Sequence, residues 1–269
     1  MIAVVRSEWL KLRTTMVPWV LGGIAILVTG LDILIVFTQR QSYVRVTNGP
    51  GPGYVVPHTT VELRNLVGTG LGGYLFALLL GVLCITTEYR HKTVTTAFLV
   101  TPHRWRFVGG KLIMSALAGI GLCLIVVATT LIGGGLTLVA RGGSFSALLG
   151  QVPAVLPGML LAFALFGILG VGIGSVLTNQ IAAIAVSLGW FIIGETILVG
   201  LVHSAYKWVP SGAATAVANV TASGAGGGRG ADSITLAIFN WWQGGLLLLA
   251  YGLIFAGIGS YIITRRDVT

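Results

Sequence analysis

The residues best suited to chemistry lie in one short segment, residues 86–111, between two long apolar runs. The segment opens with Glu88-Tyr-Arg-His-Lys92 and closes with the basic stretch Arg104–Lys111. A loop that only sets membrane topology needs a few positive charges, but this one adds a carboxylate and bulky aromatic rings. Arginine and aromatic side chains are enriched where proteins dock. The pattern favours a docking surface, with a lipid-facing topology loop as the simpler alternative.

Two further carboxylates, Asp32 and Glu195, lie inside apolar runs. An ionisable group within a membrane is costly and is by default a candidate functional residue. We expect both in the outer halves of their helices. There they would face a polar cavity, pair with Arg40 or Arg64, or carry a proton. A substrate or gating role and a purely structural pairing both stay open.

Motifs for catalysis or cofactor binding are missing from the sequence. No GxxxxGK loop followed by Ser or Thr occurs, because Gly109-Gly-Lys-Leu112 lacks the upstream glycine and the hydroxyl residue that holds Mg²⁺. HExxH and GxSxG are absent too. His58 and Glu62 share a helical spacing, but two ligands rarely make a metal site. We therefore predict no enzyme activity, metal or cofactor in this chain itself.

The composition indicates a membrane protein. Of 269 residues, 55% are hydrophobic and only 9% are charged, against about 25% charged in soluble domains. The net charge of +9 does not indicate nucleic-acid binding, because the basic residues lie in short segments between apolar runs. Cys84 and Cys123 lie within those runs without CxxC spacing and are predicted to be packing residues. Residues 1–269 are therefore predicted to form a single transmembrane domain.

Six apolar stretches are long enough to cross a bilayer, which takes about 20 residues. We predict an all-α integral membrane protein with spans Val17–Phe37, Leu66–Thr87, Leu112–Ala140, Val152–Leu177, Ile181–Val202 and Gly244–Thr264. Thr178-Asn-Gln180 is expected to form a tight turn between the fourth and fifth spans. Small residues four apart, which let helices approach closely, recur at Gly68/Gly72, Gly158/Ala162, Gly170/Gly174 and Gly252/Ala256.

Residues 1–16 are predicted to form an amphipathic helix ahead of the six-helix membrane domain, residues 17–264. Apolar residues at spacings of three and four make a stripe of Ile2, Val5, Trp9, Leu12 and Met16. The other side carries the charges of Arg6, Glu8, Lys11 and Arg13. Glu8 can pair with Lys11 one turn later. A basic helix that carries a Trp and leads into a span is expected to lie in the membrane interface.

The Lys and Arg residues of the loops predict the orientation. Ten of them lie at the termini and in the loop after the second span, against six in longer segments on the other side. Both termini and the loop 88–111 are therefore predicted to be cytoplasmic, in a multi-pass protein of the plasma membrane. In the longer outer segments, Ile234–Trp242 suits an interfacial anchor or a short re-entrant piece.

Two segments of the sequence carry recognisable motifs at defined places relative to the predicted spans. They are the opening Arg6-Ser-Glu-Trp-Leu-Lys-Leu-Arg-Thr-Thr15 and the loop Glu88-Tyr-Arg-His-Lys-Thr93, Leu99-Val-Thr-Pro-His-Arg104 and Gly110-Lys111. Together with the six-span layout, they resemble the permease subunits of type-2 ABC exporters. The resemblance implies that the loop is a coupling helix seated on a separate ATPase subunit. It implies that ATPase coupling is carried by Glu88, Tyr89, Arg90, Thr93, Phe98 and Thr101. It places Glu8, Lys11 and Arg13 in the connecting helix.

The resemblance also implies partners and a function. Two ATPase copies, which bind ATP and Mg²⁺, would join two permease copies, as a homodimer or a heterodimer, in the membrane lipid. The substrate would be a hydrophobic or amphipathic drug, lipid or peptide-like compound moved out of the cytoplasm. The alternative is a proton-coupled secondary transporter that uses Asp32 or Glu195. A membrane-embedded enzyme is disfavoured, because no nucleophile–base constellation emerges.

Overall fold

The computed structural model describes residues 2–43, 59–91, 104–177, 179–221 and 239–265, and every regular element in these ranges is helical. The helices are α1 (Ile2–Thr14), α2 (Val17–Tyr43), α3 (Thr60–Val67), α4 (Tyr74–Arg90), α5 (Arg104–Ala140), α6 (Phe145–Leu149), α7 (Val152–Val176), α8 (Gln180–Leu188), α9 (Glu195–Leu201), α10 (Pro210–Val217) and α11 (Trp241–Arg265). Gly68–Gly73 and His203–Lys207 form 3₁₀ turns, and Gly189–Gly194 forms a π-helical turn.

Six helical stretches are long and apolar enough to cross a membrane, which confirms that prediction. They are Val17–Thr38, Thr60–Arg90, Val108–Ala140, Val152–Val176, Gln180–Leu201 and Trp241–Gly259. The second begins earlier than the predicted Leu66, because Thr59 and Glu62 form a capping box that starts α3. The second span is therefore α3, a 3₁₀ turn and α4, and the fifth is α8, the π-helical turn and α9.

α7 packs against α4, α5 and α11, and glycines set how closely these helices approach. A Cβ added at Gly81 of α4 or at Gly170 of α7 would collide with the backbone of the opposite helix. Gly158 has the same relation to Val217 of α10. The predicted close packing is therefore confirmed at Gly158 and Gly170. Gly72 differs, because no atom lies within 4 Å of the position that its Cβ would take.

The fourth and fifth spans are separated where the turn Thr178-Asn-Gln180 was predicted, although Thr178 itself lies outside the described residues. Leu177 leaves α7 in an extended conformation, with φ −102° and ψ 96°. Asn179 then caps α8, because its side-chain oxygen accepts the N–H of Ile181 at 3.0 Å and that of Ala182 at 3.3 Å. The two spans are separate helices and do not form one long helix.

The segment between the fifth and sixth spans contains an element that the sequence did not predict. α10 is almost entirely buried and packs on α7 and α11. Its residues, PSGAATAV, are nearly all small, so they give no periodic apolar signal. We call this end of the bundle the α10 end, and the end where α1 packs against α5 the α1 end.

Candidate functional site: a buried ion-pair cluster

Two acids and two lysines from three helices meet at the α1 end. Glu8 and Lys11 lie one turn apart on α1, Glu88 lies in the last turn of α4, and Lys111 lies near the start of α5. We call these side chains the four-charge cluster. Their sequence separations mean that only the folded arrangement of α1, α4 and α5 brings them together.

Each lysine of the four-charge cluster bridges both acids. Lys11 Nζ lies 2.7 Å from Glu8 Oε1 and 2.7 Å from Glu88 Oε1. Lys111 Nζ lies 3.1 Å from Glu8 Oε2 and 2.8 Å from Glu88 Oε1. The expected pair of Glu8 with Lys11 is therefore present, as one side of a closed ring. Two positive and two negative charges leave the ring with no net charge.

Burial is graded across the four-charge cluster. The side chain of Lys111 is 0% exposed, whereas that of Lys11 is 54% exposed. Lys111 donates its third hydrogen bond to the carbonyl oxygen of Cys84 at 3.0 Å, so its ammonium has three acceptors. An unpaired buried ammonium costs several kcal/mol, so the buried position of Lys111 depends on its contacts with Glu8 and Glu88.

Neighbouring charges keep Glu8 and Lys11, the two residues that α1 contributes to the four-charge cluster, in their ionised forms. Burial raises the pKa of Glu8, but the ammonium groups of Lys111 and Lys11 outweigh it, and the pKa lies below its ordinary value. Partial burial lowers the pKa of Lys11, but its hydrogen bonds to Glu8 and Glu88 outweigh it, and the pKa lies above its ordinary value. Both groups are therefore ionised throughout the neutral range.

α1 turns Glu8 toward the bundle and carries exposed apolar residues. Glu8 is only 4% exposed, whereas Trp9 is 54% and Leu10 is 53% exposed. Arg13 is also exposed. The ion pairs account for the burial of Glu8, and an outward Trp and Leu suit contact with lipid. The sequence alone does not show that Glu8 packs against the other helices.

The residues after Glu88 connect α4 to two further helices. Tyr89 packs with Leu112 against Ile85 and Val171, the last of which belongs to α7. Arg90 donates to the Oε1 atom of Gln180, at the start of α8, over 3.3 Å. The last turn of α4 therefore contacts α1, α5, α7 and α8 through consecutive side chains.

The coupling residues Thr93, Phe98 and Thr101 lie outside the described residues. Glu88 lies just before this stretch of chain and Lys111 lies after it. Because these two side chains are 2.8 Å apart, the four-charge cluster joins the two ends of the loop.

The intramembrane acids Asp32 and Glu195 lie apart from the four-charge cluster. Asp32 is half-buried in α2 and forms no ion pair with a described residue. Arg64, one proposed partner, donates to Gln151 Oε1 at 3.0 Å, and the side chain of Arg40 lies outside the described residues. Glu195 is buried at the start of α9, close to the α10 end.

Lys111 and Cys84 are the members of this site that the sequence analysis missed. Lys111 directly precedes an apolar run, and a lysine that close to the membrane needs a partner, which is the signal that could have found it. Cys84 was predicted to be a packing residue, but its carbonyl accepts Lys111 and its thiol donates to Glu8 Oε2 at 3.7 Å. Cys123 is fully buried, as expected of a packing residue.

The arrangement of the four-charge cluster suits holding helices together. Among the described residues, no three His, Cys, Asp or Glu side chains lie close enough together to hold a metal ion. Comparison of the chain with protein-family models, with curated proteins and with solved structures finds no match. The relation to a family therefore rests on the sequence resemblance alone.

Proposed function

We propose that this chain is the membrane-spanning permease subunit of an ATP-driven type-2 ABC exporter. It would move a hydrophobic or amphipathic compound out of the cytoplasm, with ATP hydrolysis in a separate subunit. The four-charge cluster is the main support, because it joins α1, α4 and α5 at both ends of the loop that the resemblance assigns to the ATPase. In this topology the α1 end is cytoplasmic.

A loop can pass a movement to the membrane helices only if its ends are fixed to them. Glu88 before the loop and Lys111 after it form a buried ion pair. Glu8 and Lys11 of α1 form ion pairs with the same two residues, so α1 is connected to both ends of the loop. Arg90 extends the contact to α8. A displacement of the loop by a partner would therefore move α1, α4, α5 and α8 together. A loop that only set topology would need none of these contacts.

The first test is a pull-down of the tagged chain from native membranes in mild detergent, followed by an ATPase assay of the eluate. We expect an ATPase to co-purify with the wild-type chain. Glu88→Ala should lower the association or the activity by about tenfold or more, equal to ~1.4 kcal/mol. The reason is that the variant leaves Lys111 without one of its two counter-ions and frees one end of the loop.

Two further variants separate coupling from folding. Arg13 is exposed on α1, so Arg13→Ala should weaken ATPase association without lowering the thermal unfolding midpoint of the permease. Asp32→Asn removes a carboxylate in the membrane away from the cluster and should leave association unchanged. Equal ATPase recovery from the wild-type, Glu88→Ala and Arg13→Ala chains would contradict the assigned coupling role.

A purified chain that keeps its own oligomer and brings down no ATPase would favour the second candidate function, a proton-coupled transporter. The burial of Glu195 within a membrane span is the observation that supports it. Transport into vesicles would then require a pH gradient and not ATP, and Glu195→Gln would abolish it.

A further inference from the structure

Glu195 is a buried acid without a counter-ion among the described residues. It is the first residue of α9, directly after the π-helical turn. Its side chain is 4% exposed, and neither carboxyl oxygen has a hydrogen-bond partner among the described residues. Lys207, the described lysine or arginine closest to it in sequence, lies with its ammonium 5.8 Å from the ring centroids of Trp208 and Phe239. No described ion pair involves Glu195.

The groups that face Glu195 come from four elements and are uncharged at neutral pH. Three tyrosines lie within electrostatic reach of the carboxyl: Tyr74 of α4, Tyr206 of the 3₁₀ turn and Tyr251 of α11. Ser211 of α10 presents its hydroxyl and backbone N–H, but neither reaches hydrogen-bonding geometry. The hydroxyl of Tyr251 donates to the carbonyl of Trp208 at 2.9 Å. None of these groups supplies a positive charge.

The π-helical turn Gly189–Gly194 precedes Glu195, and an aromatic contact holds it against the bundle. The ring of Phe191, within this turn, lies 5.5 Å from that of Phe166, which lies 4.0 Å from the ring of Tyr74. A π-helical turn adds one residue to the helix and so rotates the residues after it relative to those before it. Here Glu195, directly after the turn, is buried beside Tyr74. Turns of this kind recur at functional sites.

We propose that Glu195 is a proton-binding site at the α10 end. An ionised carboxylate with no counter-ion is far more costly in this buried surrounding than the neutral acid, so the carboxyl holds a proton in the structure described above. It releases the proton when the surrounding elements part and water reaches it. The site needs no ATPase and goes beyond the exporter function.

Dicyclohexylcarbodiimide tests the protonation state on the purified chain in detergent, without any ATPase. The acid adds across one C=N bond of the reagent: the carboxyl oxygen bonds to the central carbon and the acid proton moves to a nitrogen. Peptide mapping should find Glu195 modified at neutral pH. The rate should fall by about tenfold per pH unit once the carboxyl ionises. Glu195→Gln should remove the product, and Asp32→Asn should leave it.

Glu62 provides an internal reference, because its carboxylate accepts the amide of Thr59 in a capping box and should stay unmodified at neutral pH. A Glu195 that reacts in the folded chain at acid pH but stays unmodified at neutral pH would overturn the proposal, because the reagent would then reach a carboxyl that is ionised at neutral pH. Steric exclusion of the reagent is checked by adding it to chain unfolded in dodecyl sulfate, where Glu195 must react at acid pH.

A stability measurement decides the question if the folded chain excludes the reagent. A folded state that holds the proton loses stability as the pH rises, because the unfolded chain releases the proton more readily. The thermal unfolding midpoint of the wild-type chain should therefore fall, relative to Glu195→Gln, as the pH rises from about 4.3, the ordinary pKa of a glutamic acid, to the pH at which the folded carboxyl ionises. Identical pH profiles of the two chains would overturn the proposal. The exporter function would be unaffected, since the ATPase pull-down tests it separately.

Discussion

The two ends of the bundle bury carboxyl groups in opposite ways. At the α1 end, Glu8 and Glu88 have counter-ions, because lysine ammonium groups lie 2.7–3.1 Å from their carboxyl oxygens. At the α10 end, Glu195 faces tyrosines and a serine and has no counter-ion among the described residues. Counter-ions hold the first two acids in one geometry. A buried acid without a counter-ion is stable only in its neutral form. Its protonation state can therefore change when water reaches it.

This difference has a direct consequence for mutations. Removing one ion from the four-charge cluster leaves an uncompensated charge in a buried place, which is much more costly than the pair was worth. Removing the acidity of Glu195 leaves nothing uncompensated. The two ends should therefore respond very differently to conservative, isosteric replacements.

The largest effect is expected from Lys111→Met. Methionine fills similar space without the charge, and Glu8 and Glu88 are left with one lysine between them. Breaking a buried pair in this way costs about 3–5 kcal/mol. The thermal unfolding midpoint of the detergent-solubilised chain should fall steeply. Disruption of the four-charge cluster should also release α1 from α4 and α5. Faster proteolysis near the N-terminus would measure this release.

Lys11→Met is the matched control for Lys111→Met. Lys11 contacts the same two acids at 2.7 Å, but its side chain is 54% exposed. Exposed ion pairs contribute about 1 kcal/mol or less, and Lys111 remains to neutralise part of the acid charge. A loss for Lys11→Met equal to that for Lys111→Met would show that burial does not set the strength of this cluster.

An intermediate effect is expected from acidification. The pKa of Glu8 is lowered from its ordinary value of 4.5, so its ionised form adds stability above that value. The contribution disappears as the pH falls through the folded-state pKa, because the folded chain must then take up the proton. A hydrogen bond to a charged group contributes about 1.5–3 kcal/mol, which bounds the loss from this one group.

Glu8→Gln isolates that contribution. The variant starts with a lower unfolding midpoint at neutral pH, and the midpoint should depend less on pH below 4.5 than that of the wild-type chain. A wild-type chain whose midpoint stays constant through this range would show that Glu8 is not ionised in the folded state. Glu62→Gln, in the capping box of α3, is the control variant. It shows how much the pH dependence of the unfolding midpoint changes when an acid outside the four-charge cluster is removed.

The sequence was sufficient for the spans and for the turn that separates the fourth and fifth of them. Runs of apolar residues are long enough to identify each span without knowledge of its neighbours, and Asn179 is a local capping signal. The short helix α10 was missed, because small residues such as Ala213, Ala214 and Ala216 form no periodic pattern. Its burial depends on glycines in other helices, such as Gly158 and Gly244.

The candidate site was predictable only in part for a similar reason. Glu88, Glu8 and Lys11 stand out because charge is rare in this chain, and the pair Glu8–Lys11 follows from helical spacing. The contact of Lys111 with Glu8 joins residues far apart in the sequence, so it depends on how α1, α4 and α5 pack. Likewise, no sequence pattern showed that Glu195 lies beside tyrosines of three different elements.

The smallest loss of stability is expected from Glu195→Gln at neutral pH, compared with Glu88→Gln. Glutamine has the shape of a protonated glutamic acid and does not need to take up a proton on folding, so this replacement should leave the unfolding free energy unchanged or raise it. The same replacement at Glu88 leaves two lysines with one counter-ion, and we expect a loss of about 3 kcal/mol or more. Thermal unfolding of both variants at one pH gives the comparison directly. A large loss at Glu195 would mean that its carboxyl is ionised and paired in the folded chain, and that the two ends of the bundle bury their acids in the same way.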